Sequence, residues 1–267
     1  MQANLIPQIA ALAAMLPLTA AAIAARLGRN LLLWLLLVVA VAGPVALVAI
    51  QISSGWQSGL SANLWAGIAA TLVAFGALCL VRPGAYRLGA LLLPYLALSG
   101  ALAIAFSGAP NAEGLVIPTG AWFSVHVVLA VASYATLTLA AIAGTAVLLQ
   151  ERALKRRAHL GWPGRALPPL AEAESLQIRL LAWSAGLMAA ALATGAANEV
   201  IETGQLLAFT HKILLAFLAF ALILGLLLLH HRTGLRGRHA ARWLLAGYLL
   251  LVLAYPGVKF VKDVLIG

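Results

Sequence analysis

The sequence predicts an all-α fold, a polytopic transmembrane helix bundle of about eight spans with both termini on the periplasmic or outer side. Two observations carry this prediction. Of the 267 residues, 64% are hydrophobic and only 9% are charged, whereas about a quarter of the residues in ordinary soluble domains are charged. Apolar runs of roughly 20 residues, the length that crosses a bilayer as a helix, recur along the whole chain. A water-soluble fold of this size has no interior that hides so much apolar surface.

The apolar runs divide the chain into eight predicted spans separated by polar or charged residues. The runs are 4–26, 31–51, 62–81, 88–106, 122–150, 176–198, 208–230 and 241–260. The fifth run is long, so its last residues are expected to continue as helix into the cytoplasm. The second half is richer in polar residues than the first. We therefore divide the chain into a four-span region, 1–121, and a four-span core, 122–267, with a basic cytoplasmic loop at 151–175.

The cations are distributed unevenly between the two sides of this topology. Fourteen of the 17 Lys and Arg residues fall in alternate loops or at the span ends beside them. They are Arg26, Arg29, Arg82, Arg87, Arg152, Lys155, Arg156, Arg157, Arg165, Arg179, Arg232, Arg236, Arg238 and Arg242. The positive-inside rule makes these loops cytoplasmic. The formal charge of +10 therefore indicates topology in a bacterial inner membrane and contact with lipid, and we expect no nucleic-acid partner.

Patterns typical of catalysis are lacking in the sequence. The single cysteine, Cys79, excludes a disulfide framework, a CxxC redox pair and CxxCH haem attachment. No HExxH, Walker or GxGxxG motif occurs, and the few serines and carboxylates form no triad pattern. We therefore expect the protein not to be an enzyme. A secondary transporter is the least favoured class, because no Asp or Glu is predicted near the centre of a span.

Two histidines lie near the predicted outer ends of spans five and seven. His126 and His211 each sit a few residues inside the span, so we expect them at similar depth. Two imidazoles on neighbouring helices at one level suit bis-histidine coordination of the iron of a non-covalent, b-type haem. Trp122 lies one helical turn before His126, where it either stacks on a planar ligand or anchors the helix at the membrane interface.

Other roles for these histidines stay open. His126 could instead make a helix–helix hydrogen bond, to Ser133, to Tyr134 or to another span. His211 adjoins Lys212 at the membrane edge, where both side chains could reach water and bind nothing. Glu199 and Glu202 in the preceding outer loop could orient an imidazole or be solvated.

The other end of the seventh predicted span carries His230 and His231. They come directly before Arg232 on the cytoplasmic side. They suit either a second, inner haem or anion site or ordinary polarity at the membrane interface.

From Trp122 onward the chain resembles the cytochrome c assembly family, the haem-handling membrane proteins of the CcsA and CcmC type. The resemblance covers roughly the last 140 residues. Its matching pieces are WFSVHVVLAVASYATLTLAAIAGTAVLLQER at 122–152, LLLLHHRTGLRGRHAARW at 226–243 and AGYLLLVLAYPGVKF at 246–260. It implies that His126 is an outer axial haem ligand and that His230 corresponds to the inner family histidine.

The sequence also departs from the family pattern in two places. A tryptophan-rich WWD segment that presents haem is expected between Ala196 and Leu214, but the chain reads AANEVIETGQLLAFTHKIL there. A second outer histidine is expected after Gly257, and VKFVKDVLIG contains none. These departures make the chain most similar to the YpjD/HemX-type branch. His211 is our own candidate for the second ligand.

Two functions therefore remain. The favoured one is haem binding or handling in cytochrome c biogenesis, with haem and other biogenesis proteins as partners. The alternative is a non-catalytic membrane regulator or scaffold without bound haem, a HemX-like effector of haem synthesis or a partner-binding protein. In that alternative the basic loop contacts a cytoplasmic partner or anionic lipid headgroups.

Overall fold

The structure, a computed structural model, describes residues 5–53, 59–107, 121–156, 161–203, 211–234 and 237–253. Within these ranges the chain forms nine α-helices and no strand, which confirms the all-α class. The helices are α1 Leu5–Ile23, α2 Leu31–Ser53, α3 Leu60–Val81, α4 Gly89–Ala105, α5 Ala121–Lys155, α6 Trp162–Ala166, α7 Leu170–Thr203, α8 His211–Thr233 and α9 Gly237–Val252, with a 3₁₀ turn Ala85–Leu88 before α4.

Seven helices of the described part are long and apolar enough to cross a membrane. They are α1, α2, α3, α4 together with its 3₁₀ turn, α5, α7 and α8, and they coincide with the first seven predicted spans. The predicted eighth span, 241–260, begins within α9, and its last residues lie outside the described ranges. The chain is therefore a multi-pass membrane protein, while the side on which its termini lie stays a prediction.

The large apolar side chains are divided between the bundle interior and its outer surface. Trp65 and Phe75 are fully buried, whereas Leu98 and Leu228 are more than half exposed. A soluble protein rarely exposes contiguous apolar faces of this size. Lipid tails around the bundle cover these side chains, and the hydrogen bonds within each helix satisfy most of the backbone polar groups of the described spans.

The longest helices, α5 and α7, form an antiparallel hairpin with the most extensive contact of any two described helices. Their 35 and 34 residues correspond to about 50 Å each, longer than the roughly 30 Å hydrocarbon core. The ring of His126 contacts Ala191 O, and Ser184 Oγ donates to Ser133 O at 3.2 Å. These two pairs are seven residues apart on both helices. The hairpin therefore has the heptad spacing of a coiled coil.

Both ends of α7 extend beyond the predicted span 176–198. The helix begins at Leu170, so Glu172 lies in its first turn, where a carboxylate interacts favourably with the helix dipole. It continues to Thr203. Glu199 and Glu202 were expected in an outer loop, and the structure corrects this, because both lie in the last turns of α7. Their backbones continue the helical hydrogen bonding there.

Four basic segments of the sequence meet at one end of the bundle, called the basic end below. The segments follow α1, join α3 to α4, join α5 to α7, and precede α9. The contacts that join them are Trp162 Nε1 to Ile23 O (2.9 Å), Gln150 Nε2 to Pro168 O (2.9 Å), Arg238 N to Glu151 Oε1 (2.9 Å), and Glu172 against the backbone of Gly84. The alternate loops that carry the cations therefore share one side, as their pattern predicts.

The segment between α5 and α7 contains one short helix. Pro163, Pro168 and Pro169 argue against a continuous helix through this segment, and the separate short helix α6 forms there over Trp162–Ala166. Pro163 is tolerated because it lies in the first turn, where the backbone N–H has no partner within the helix. Gln150 Nε2 donates a hydrogen bond to the carbonyl oxygen of Pro168 and so holds the segment that follows α6.

A half-buried group of tyrosines joins the first half of the bundle to the second. The hydroxyls of Tyr95 on α4 and Tyr248 on α9 are 2.7 Å apart, and the Thr138 hydroxyl on α5 lies 3.2 Å from Tyr248. The rings of Tyr134 and Tyr248 lie 6.2 Å apart between centroids. A Cβ at Gly67 on α3 would stand 3.3 Å from the Tyr134 ring. Four helices thus meet around these hydroxyls.

Replacing the buried amide of Gln177 should stabilise the protein. Gln177 is 1% exposed, and its Nε2 has no hydrogen-bond partner among the described residues. An unpaired buried donor costs about 1–3 kcal/mol, so Gln177→Leu should raise the free energy of unfolding by about 1 kcal/mol. Unfolding by sodium dodecyl sulfate in mixed micelles measures this. The matched control, Gln150→Leu, should destabilise because it removes the bond to Pro168 O; equal destabilisation by both variants would contradict the prediction.

The hydroxyls of Tyr95 and Tyr248 should contribute to stability in an energetically coupled way. Tyr95→Phe and Tyr248→Phe each remove one hydroxyl of the same pair, so the double variant should lose less than the sum of the two single losses. Interhelical hydrogen bonds in membranes couple by roughly 0.6 kcal/mol, and we expect about that value. Unfolding free energies of the wild type, both single variants and the double variant give the coupling directly. Strictly additive losses would show that the two hydroxyls do not interact.

Candidate functional site

His126 lies in the second turn of α5, at the end of the bundle opposite the basic end. α5 begins at Ala121, and the ring of His126 is half-buried against α7. The α7 residues beside it are Ala191, Thr194 and Gly195. The side chain is therefore held between two helices near the end of a span, with one edge towards the surroundings.

One nitrogen of the His126 ring is committed to a backbone hydrogen bond. Nδ1 lies 2.8 Å from Ala191 O. A carbonyl oxygen only accepts, so Nδ1 carries the proton and donates it to this bond. The Thr194 hydroxyl is 3.5 Å from Nδ1 and itself donates to the carbonyls of Ala190 and Ala191. In the neutral imidazole, Nε2 consequently keeps its lone pair.

Gly195 makes the close approach of the imidazole to α7 possible. A Cβ at this position would stand 2.8 Å from Cε1 of His126 and 3.1 Å from Nδ1. Real Cβ atoms do not approach other atoms so closely, so an alanine here would displace the ring. Ala191, one helical turn earlier, is also small and buried. These two positions form the surface on which the imidazole rests.

This arrangement suits coordination of a haem iron by Nε2. Metal-bound histidines almost always donate their other ring N–H to a carbonyl, a carboxylate or water, which fixes the tautomer and the ring orientation. Among the described residues no group of three His, Cys, Asp or Glu side chains could hold a bare metal ion. Haem differs, because the porphyrin supplies four of the ligands and the protein supplies one or two. The donor set around His126 therefore fits haem.

Trp122 lies one turn before His126 and is 56% exposed. Val125 and Val128, on the same stretch of α5, are also exposed, so the surface around the histidine is apolar. This surface is compatible with both expectations for Trp122, which stay predictions: stacking on a planar ligand and anchoring at the interface.

His211 begins α8, but its side chain lies outside the described residues. α7 packs against both α5 and α8. α8 starts eight residues after the last residue of α7, so its first turn lies at the same end of the bundle as His126. The residues directly before α8, as far as Thr210, lie outside the described ranges. Pairing of His211 with His126 remains a prediction.

His230 lies near the opposite end of α8, at the basic end. Its ring and that of His231 are 5.7 Å apart in an edge-to-face arrangement, and His230 is half-buried whereas His231 is exposed. The 19 residues from the start of α8 to His230 correspond to about 29 Å of helix. One iron cannot contact both ends of the bundle. If His230 is a ligand, it serves a second site.

The fold and this imidazole define a multi-pass membrane protein that holds an oriented histidine near a span end. The family model described as Cytochrome C assembly protein matches residues 29–266, and the chain belongs to that family. The match is longer than the resemblance over the last 140 residues, because it includes α2, α3 and α4.

A relative from Azospirillum brasilense extends this comparison. The chain is 47% identical to it over 240 residues, which cover 90% of this chain and 88% of the relative, described as "Uncharacterized 28.8 kDa protein in nifR3-like 5'region". No solved structure matches the chain. The printed description of this relative supplies no function.

Proposed function

We propose that this chain is a non-catalytic haem-binding protein of the bacterial inner membrane that handles haem during cytochrome c biogenesis. Nε2 of His126 would be the axial ligand of a non-covalent, b-type haem. The observation that carries the proposal is the 2.8 Å contact between Nδ1 and Ala191 O, which directs the ring and assigns its proton. Membership of the cytochrome c assembly family supports haem as the cofactor.

The surroundings of His126 support a porphyrin rather than a polar ligand. Trp122, Val125 and Val128 expose apolar surface on the same part of α5, and a haem macrocycle is largely apolar on both faces. A bound haem would cover this surface and bring iron to Nε2, with lipid or another helix on the remaining side. Haem would supply the redox and ligand-binding chemistry. The chain would supply the His126 ligand, its orientation and the apolar surface that the porphyrin covers.

The second axial ligand in this proposal is His211 at the start of α8. His230 would belong to a separate haem or anion site at the basic end. The sequence from Ala196 to Leu214 contains no tryptophan, so we assign the chain to haem holding, delivery or sensing rather than to presentation of haem to an apocytochrome. Its partners would be other cytochrome c biogenesis proteins.

Loss of the His126 imidazole should remove bound haem. Protein purified in detergent from haem-replete cells should show a Soret band, and His126→Ala should lower the haem affinity by more than about tenfold, since the ligand itself is deleted. Haem titration followed by absorbance measures this. His239→Ala is the matched control, because His239 is exposed in the first turn of α9 at the other end of the bundle.

A preparation without Soret absorbance that also fails to take up added haem would refute the proposal. It would favour the alternative of a membrane regulator or scaffold. A specific observation supports that alternative: the basic segment between α5 and α7 is fixed to the bundle by Trp162 and Gln150. It is therefore presented as a defined surface to a cytoplasmic partner.

A methyl group at position 195 should disturb the same site indirectly. Gly195→Ala places Cβ where the His126 ring lies, so the ring must shift and the bond to Ala191 O must lengthen or break. Changes in the groups that orient a ligand typically cost 10–100-fold in metal affinity, and we expect about a tenfold loss with a shifted Soret maximum. The absorbance titration used for His126→Ala reports both.

Gly186→Ala is the matched control for this variant, because it makes the same change on the same helix where a Cβ meets nothing within 4 Å. Alanine favours a helix by about 1 kcal/mol over glycine, so weaker helix formation cannot explain a loss of haem in Gly195→Ala. An unchanged haem affinity and spectrum in Gly195→Ala would show that the surface formed by Ala191 and Gly195 on α7 does not position the His126 ring.

A further inference from the structure

A second site lies at the basic end, away from His126. A cavity of about 110 Å³ opens where the end of α1, the start of α4 and α6 meet. This is several times the volume that one water molecule needs. Residues that line it include Ala22, Leu27, Tyr86, Arg87, Ala90 and Arg165. Small apolar side chains form much of its wall, and two guanidinium groups supply its charge.

The chemistry of this cavity is that of an anion site. Arg87 and Arg165 reach it from two different segments, and no carboxylate lines it among the described residues. The Tyr86 hydroxyl lies 3.5 Å from Nε of Arg87 and adds a neutral donor to the wall. Guanidinium groups bind phosphate through paired, charge-assisted hydrogen bonds, a geometry that lysine does not reproduce. A phosphate group matches both the charge and the size.

The segments that carry the two arginines are held in place by contacts of other residues. α6, which carries Arg165, is fixed over the end of α1 because Trp162 Nε1 donates to Ile23 O. Gln150 binds Pro168 O just after α6 and fixes the other side of the same segment. Arg87 belongs to the 3₁₀ turn that leads into α4. The cavity is therefore formed without a ligand.

The position of the cavity relative to the membrane indicates the source of the phosphate. α1 ends at Ile23, and the apolar span that includes α4 begins at Ala85, so the cavity lies where two spans leave the hydrocarbon core. Ile23, which follows the lining residue Ala22 at the end of α1, is exposed and is suited to contact with an acyl chain. Basic pockets between transmembrane helices at this level bind phospholipid headgroups.

From these observations we propose that Arg87 and Arg165 bind a phosphate group in this cavity, supplied by the headgroup of an anionic phospholipid. The Glu172 carboxylate lies against Gly84, three residues before Arg87, and does not line the cavity. Arg26 and Arg29 follow α1 close to Leu27 in sequence and add positive charge on the same side. The site is independent of the proposed haem function.

The proposal is tested on the full chain, purified and delipidated in a non-ionic detergent. Three ligands are added at matched concentrations: short-chain phosphatidylglycerol, the corresponding phosphatidylcholine and inorganic phosphate. The shift in thermal unfolding temperature reports binding, because a ligand of the folded state stabilises it by mass action. We expect phosphatidylglycerol to bind at least about tenfold more tightly than phosphatidylcholine, as charge-assisted contacts to a net anion require.

The variants locate the binding. Arg165→Gln and Arg87→Gln should each weaken phosphatidylglycerol binding about tenfold, and Arg165→Lys should restore only part of it. Arg165 is exposed, so its variants keep the fold even if Arg87→Gln does not. Arg156→Gln is the control, since Arg156 is an equally basic, exposed residue that does not line the cavity.

Each outcome decides the question. Stabilisation by phosphatidylglycerol alone, lost in Arg165→Gln and kept in Arg156→Gln, supports a lipid headgroup. An equal effect of inorganic phosphate with the same dependence on Arg165 keeps the site but makes a soluble phosphate compound its ligand. Two results overturn the proposal: no preference of the wild type for phosphatidylglycerol, or equal weakening of binding by Arg156→Gln and Arg165→Gln. The basic residues would then attract anions through their summed charge and not through a defined site.

Discussion

The packing of α5 against α7 is the constraint on which the rest of the structure depends. Two polar contacts seven residues apart, His126 to Ala191 and Ser184 to Ser133, set the antiparallel register. In that register Gly195 comes opposite His126, and Gln150 reaches Pro168 at the other end. A shift of one residue would turn the imidazole off this surface and detach the loop that carries Arg165. The orientation of the histidine and the shape of the basic end therefore follow from one helix pair.

Much of the fold could be predicted because its causes are local in the sequence. Apolar runs of bilayer length define seven spans to within six residues of the observed helix ends, and the alternation of cations predicts which helix ends lie together. The prediction was least accurate where a local rule has an exception. Pro163 is compatible with α6 because a proline in the first turn loses no hydrogen bond. The last turns of α7 continue past the apolar run because polar residues also form helix once water is available.

The geometry of the candidate site could not be predicted, because the groups that form it are distant in sequence. Some of them are backbone groups or glycines, which no residue pattern identifies. The partner of His126 is a backbone carbonyl 65 residues away, and any residue type supplies a carbonyl. Gly195 is one of 24 glycines, and only the register shows what it faces. The cavity at the basic end combines Arg87 and Arg165 through two helix ends that the sequence does not place together. The seven-residue spacing of the small residues Ser184 and Ala191 on α7 was the one sequence signal that could have indicated the surface that contacts the imidazole.

The two interpretations of His126 that the sequence leaves open need not exclude each other. A helix–helix hydrogen bond uses one ring nitrogen, and haem ligation uses the other. In the described part of the chain the hydrogen-bond partners of His126 all lie at Nδ1. A histidine needed only to join two helices gains nothing from a glycine that leaves room for its ring, since a hydroxyl such as that of Ser184 makes the same type of contact in less space. The half-buried imidazole, on the helix that also exposes Trp122 and Val125, is better explained by a ligand that approaches from outside the helix pair.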